Sequence, residues 1–132
     1  MKKFIIIISI VVLSISIKAI LKAETYNFDT LATAISNNDL KTLKNAKLLK
    51  DLSKIKGKLN INLLMYAVAE DNPQIAQWLI DNTKIDINEG NQYGRTALMY
   101  GASYNSLDTI KVLVKNKAAK RQAIKAQLTK KL

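Results

Sequence analysis

The side chains that could do chemistry here are carboxylates, hydroxyls and a surplus of amines, because the 132-residue chain has neither Cys nor His. Their absence excludes a thiolate nucleophile, an imidazole general base, a Cys/His zinc site and a disulfide framework. Acidic pairs such as Glu70-Asp71 are sequence neighbours at a helix end, where solvation is the ordinary fate. Ser and Thr lack a His to activate them, and no Ser-Lys signature is present. The chain's four Gly residues build no phosphate loop. The expectation is a protein that is not an enzyme, with no cofactor and no metal.

Behind these residues stands a repeat. Leu64-Met65-Tyr66 returns as Leu98-Met99-Tyr100, 34 residues later. Each copy leads through small residues into a second helical pattern, Ile75-Ala76-Gln77-Trp78-Leu79-Ile80 and Thr109-Ile110-Lys111-Val112-Leu113-Val114. A period of this size marks units that bury their apolar faces only by stacking on neighbours. Thr96 and Asn62 stand where N-caps belong, and their side-chain oxygens can accept from the first turn. Asn105 is placed to end a first helix in a left-handed conformation. Pro73 sits just inside a second helix, where its missing N–H costs nothing. Leu107, Ile110, Leu113 and Val114 share one helix face. Between the copies, turn formers flank a short alternation at Ile85 and Ile87, which reads as an extended or hairpin-like connection.

The segment Asn91-x-x-Gly94-x-Thr96-Ala97-Leu98 resembles the opening of an ankyrin repeat, with Asn91 for the usual Asp, Ala97 for Pro and Met99 for His. Asp86-Ile87-Asn88 resembles the end of such a repeat. The resemblance spans about residues 60–118. A weaker third copy precedes it, with Leu31, Ala34, Ile35 and Asn38-Asp39-Leu40 standing 33 residues before their counterparts. In that copy Ala46 and Lys47 replace the Leu-Ile pair, while Leu48, Leu49 and Leu52 point to a shifted or longer helix. The expected fold is all-α, an ankyrin-type stack of about three helix-turn-helix units with a basic C-terminal helix. The divisions are a leader at 1–23, a divergent capping repeat at 24–57, repeats at 58–90 and 91–118, and the terminal helix at 119–132.

In ankyrin repeats the hairpin tips and the exposed side of the first helix form a concave binding surface. Position by position, the resemblance implies Gly90, Gln92, Tyr93, Arg95, Ser103 and Tyr104, with Ile61, Ala69 and Glu70 from the preceding unit. Tyr93 and Arg95 carry the side chains that most often anchor interfaces. Tyr66 and Tyr100 match an inward-facing position, and Trp78 is read as inter-repeat packing.

Charge is segregated along the chain. Seven lysines between Lys41 and Lys58 oppose only Asp51, and residues 111–132 hold eight Lys/Arg and no acid. Residues 59–110 are net negative, with Lys84 and Arg95 against six acids. Ile124, Leu128 and Leu132 form a narrow apolar stripe on the basic tail, read either as a cap on the last repeat or as a docking helix. An anionic membrane surface is a partner class that the basic faces allow. Nucleic acid is not expected, since no aromatics interleave with the Lys clusters.

The N-terminus reads as a targeting segment. Lys2 and Lys3 precede an unbroken run of 14 apolar or Ser residues, Phe4 to Ile17, within the span of a signal-peptide core. Lys18 and Lys22 interrupt it, and Ala23 or Ala19 would end a cleaved leader. The alternative is an uncleaved anchor. Cleavage after Ala23 removes four cations and leaves a net charge of +7. The whole reading is an exported, monomeric, non-catalytic module that binds another protein in the periplasm or outside the cell. A membrane-associated envelope structural or stress-protective factor and a secreted effector are the alternatives.

Overall fold

The computed structural model describes residues 1–131, with side chains throughout except at 118–120, 122, 123, 125 and 126. Among the described residues there are seven α-helices and two 3-10 turns, and no strand. Helix α1 is Lys2–Thr25, followed by three helical hairpins: α2 Phe28–Ser36 with α3 Leu40–Leu49, α4 Leu63–Ala69 with α5 Pro73–Asn82, and α6 Ala97–Tyr104 with α7 Leu107–Lys131. The first helices stack in the order α2, α4, α6, and α5 packs along α7.

Polar side chains set the helix starts. Asn27 and Thr30 form a reciprocal capping box on α2. Asp39 caps α3 through the Thr42 N–H, Asn62 caps α4 through the Met65 N–H, and Asn72 caps α5 through the Ile75 N–H. Asp39 and Asp51 each accept from a nearby hydroxyl and backbone N–H (Thr42 and Ser53), which holds both carboxyls below their ordinary range. Thr96 does occupy the N-cap of α6, but its hydroxyl makes no capping bond. Between the two helices of each unit one residue turns left-handed: Asn38 (φ 54°), Asp71 (φ 48°) and Asn105 (φ 56°). All three are residue types that tolerate this region.

These turn residues also couple the units. The Asn72 amide donates to the Asn38 Oδ1 and to the Ile35 carbonyl of the preceding hairpin. One hairpin later, Asp71 Oδ1 accepts from both the N–H and the hydroxyl of buried Thr109, at 3.2 and 2.7 Å. Between these rungs lies the apolar core, with Leu31, Ile35, Leu43, Leu63, Leu64, Met65, Ile75, Leu79 and Leu113 closed to solvent. Burying each such side chain contributes roughly 1.5–3 kcal/mol, which is how hairpins too short to be stable singly hold together.

Three features differ from the sequence expectation. Helix α3 is neither shifted nor longer: it matches α5 in length, and Leu52 reaches the core from the 3-10 turn Leu52–Lys54 while Leu48 stays exposed. The connection 83–96, expected to be extended or hairpin-like, forms no strand and reverses through turns at 87–88 and 92–93, with Ile85 and Ile87 buried. The second helix of the last unit and the basic tail are one continuous helix, α7. Ile124 and Leu128 on that tail are about half exposed, and Ile124 lines a cavity with Ile87 and Asn88 of the preceding connection; Leu132 lies outside the described residues.

Helix α1 buries none of its residues and has a mean hydropathy of 2.8. Its 24 residues rise about 36 Å, enough to cross the hydrocarbon of a bilayer. Length and apolarity of this kind fit a signal sequence as well as an anchor.

Candidate functional site

Asn91 organises the surface ahead of α6. Its Oδ1 accepts from the N–H groups of Tyr93 and Arg95, both at 2.9 Å, and its Nδ2 donates to the Tyr100 hydroxyl at 2.9 Å. An Asx side chain bonded to the backbone two residues on builds a turn without a strand partner. The turn closes through Gly94 N–H to the Asn91 carbonyl, and Gly94 takes φ 73°, a conformation that suits a residue without Cβ. Gly90 has to approach here as well, since a Cβ on it would lie 3.0 Å from the Gly94 backbone. Asn91 itself is buried, so the loop is held from within.

This turn places Arg95. Its guanidinium lies over the Tyr100 ring, 4.9 Å from the centroid, and its Nη2 donates to Ser103 Oγ at 2.6 Å. Tyr104 continues the arrangement, its ring nearly parallel to that of Tyr100 at 6.4 Å between centroids. A cation over an aromatic face at an exposed site is worth about 0.5–1 kcal/mol, sufficient to favour one placement of a long side chain. Among the described residues no carboxylate pairs with Arg95, and the side chain is exposed.

Of the residues singled out from the sequence, Arg95, Ser103 and Tyr104 are brought into one cluster. Tyr93 and Gln92 sit exposed on the same turn, with the Gln92 N–H bonded to the Leu59 carbonyl. Ala69 is half-buried and Glu70 exposed at the end of α4, on the neighbouring unit, and Gly90 and Ile61 on the connections are half-buried. Tyr100 is buried, in line with its inward assignment. Tyr66 is half-buried, its hydroxyl 3.1 Å from Ser36 Oγ and its ring edge-on to Phe28, which makes it a link between the first two units. Trp78 packs half-buried against the core. The sequence reading missed that buried Tyr100 offers its ring face to Arg95, and that Asn91 sets the whole turn. The signal for Asn91 was present, an Asx residue three positions before a Gly.

A larger cleft of about 580 Å³ lies elsewhere, between the C-terminal ends of α3 and α5 (residues 47–52 and 81–84). It follows from Ala46 and Lys47 standing where the other units carry Leu79-Ile80 and Leu113-Val114: with less apolar volume there, the second helices do not close. Its mixed charges, Lys47, Lys50 and Lys84 with Asp51 and Asp81, carry no chemical arrangement. No group of three acidic, His or Cys side chains able to hold a metal occurs among the described residues.

Compared with known families, residues 31–124 match the model for ankyrin repeats in three copies. The chain belongs to the ankyrin-repeat family. Ankyrin repeats are protein–protein interaction modules, and the Arg95 cluster sits on the first-helix side of the third ankyrin unit. No curated protein and no solved structure matches the chain.

Proposed function

We propose that this ankyrin-repeat protein is an exported, non-catalytic binding module whose contact surface centres on Tyr93, Arg95, Ser103 and Tyr104, extending to Gln92, Ala69 and Glu70. The observation that carries the reading is the Arg95 guanidinium, oriented by Tyr100 and Ser103 and left without an acidic partner among the described residues. Exposed Tyr93 and Tyr104 flank it in sequence, and aromatic–Arg groupings of this kind anchor protein interfaces. The chemistry fits a protein partner that brings a carboxylate or backbone carbonyl to the guanidinium and apolar area to the rings. Export rests on Lys2-Lys3 ahead of the uncovered apolar α1, and it places the protein in the periplasm or outside the cell.

Proximity labelling in the native host, repeated with Tyr93→Ala and Arg95→Glu, tests the surface. Loss of one partner in both variants is the expected result. Recovery of every partner unchanged would show the surface to be misassigned. Intact-mass measurement tests export processing, because a mature chain still beginning at Met1 is an anchor and not a cleaved form.

A second reading is an envelope factor held on anionic lipid, supported by the acid-free basic stretch 111–132 beside the exposed Ile124 and Leu128. Retention on anionic but not neutral vesicles, lost at modest salt, favours it. Equal retention on both removes it.

A further inference from the structure

Helix α7 outruns the repeat it belongs to. A helix of α5's length starting at Leu107 ends at Asn116, and α7 continues to Lys131. Asn116 still packs on the stack, its amide donating to Gln77 Oε1 of α5 at 3.0 Å. Beyond it the helix leaves a cavity of about 330 Å³ against the preceding connection, lined by Ile87, Asn88, Lys117, Arg121 and Ile124. Ile87 is buried, Lys117 is half-buried, and the other three are exposed. Lys117, Arg121, Ile124 and Leu128 recur at i, i+4, i+7 and i+11. They share one helix face, cationic near the repeats and apolar farther out.

The lining carries two cations and one amide, and no acid. Among the described residues neither Lys117 nor Arg121 forms an ion pair. The two carboxylates that flank residues 87 and 88 are committed elsewhere: Asp86 Oδ1 accepts from the Asn88 N–H at 3.0 Å, and Glu89 is held by Lys56 and Asn62. A half-buried ammonium without a counter-charge is unfavourable, and an anion seated between Lys117 and Arg121 removes that cost.

We propose that this cavity, separate from the Arg95 surface, binds a single-chain anionic amphiphile: a carboxylate or phosphate head carrying an alkyl chain. The head lies between the Lys117 ammonium, the Arg121 guanidinium and the Asn88 amide. The chain lies along Ile87 and Ile124 toward Leu128. Two oxygens of either head match the fork of a guanidinium, and the amide adds a donor. The isoleucines on both walls distinguish an amphiphile from a bare anion. Size distinguishes it from a protein segment: a stable protein interface takes about 20–30 residues a side, and five line this cavity. Its volume stands at the small end of the range for ligand pockets, about 300–1,000 Å³, room for a head and a short length of chain.

Photolabelling of the full-length protein in neutral-lipid nanodiscs tests the site. The probe is a dodecanoate whose chain end carries a diazirine, and labelled residues are mapped by mass spectrometry. Label is expected at residues 87 and 88 and within 117–128, in addition to α1, whose apolar surface meets alkyl chains whatever their head. Arg121→Glu and, independently, Lys117→Glu should each reduce the site label at least fivefold, with the α1 label and the Trp78 emission unchanged. Dodecyl phosphate should compete as well as unlabelled laurate, and dodecanol should not compete. The proposal is overturned if label appears only in α1, if both charge variants leave the site label intact, or if dodecanol competes equally. Site label that appears only in nanodiscs of anionic phospholipid also overturns it, and assigns this face of α7 to a membrane surface instead.

Discussion

Replacing Asp71 tests how the ankyrin units are coupled. Asp71 does two jobs: it turns left-handed at φ 48°, and its Oδ1 receives the N–H and hydroxyl of Thr109, a residue closed to solvent. In Asp71→Ala both are lost. The left-handed conformation costs a residue with Cβ and no local hydrogen bond about 1–2 kcal/mol. Leaving the Thr109 donors unpaired in a buried site costs about 1–3 kcal/mol more. The variant should therefore be destabilised by roughly 2–5 kcal/mol. Asp71→Gly relieves the backbone cost and should retain only the second part. Asp71→Asn keeps both the conformation and an Oδ1 acceptor, and should lose less than about 1 kcal/mol. Asn105→Ala is the internal control: it carries the same left-handed turn at φ 56° and its side chain has no hydrogen-bond partner among the described residues, so it reports the backbone part alone. Urea unfolding of residues 24–132, followed by Trp78 fluorescence, measures all four. Equal losses for Asp71→Ala and Asn105→Ala would refute the inter-unit rung, and a broadened or two-step transition in Asp71→Ala would show uncoupled repeats.

Other variants test the packing and the half-buried ion pair. Met65→Ala should cost about 2–4 kcal/mol and Met99→Ala less than about 1 kcal/mol by urea titration, because only Met65 is enclosed. Gly57→Ala should destabilise by about 1–3 kcal/mol: a Cβ there would lie 2.5 Å from the Phe28 ring, and a ring edge cannot fold away. Glu89 is acted on by burial, which raises its pKa, and by hydrogen bonds from Lys56 and Asn62, which outweigh it and hold the carboxyl below the ordinary 4.5. Its contribution is therefore full above that value and lost as pH falls through the lower folded value. The gap in melting temperature between wild type and Glu89→Gln should be present at pH 7 and shrink on acidification below the ordinary value of 4.5; a gap independent of pH would refute the assignment.

The repeat was legible because its signals are local. Asn62, Pro73 and Asn105 announce helix ends by their own chemistry, and the Leu-Met-Tyr copies carry one period into two stacked units. Position within the unit then assigned Tyr100 to the interior and Tyr93, Ser103 and Tyr104 to the surface, as found. What escaped depends on partners distant in sequence. That Asp71 caps Thr109, or that Lys56 and Asn62 converge on Glu89, follows from how hairpins stack. Leu52 looked like a helical residue because three Leu recur nearby; the chain instead leaves the helix at Lys50 and returns through a 3-10 turn. The unity of α7 was missed for the opposite reason. Nothing in residues 115–121 breaks a helix, and the boundary at 118 came from the length of a repeat alone.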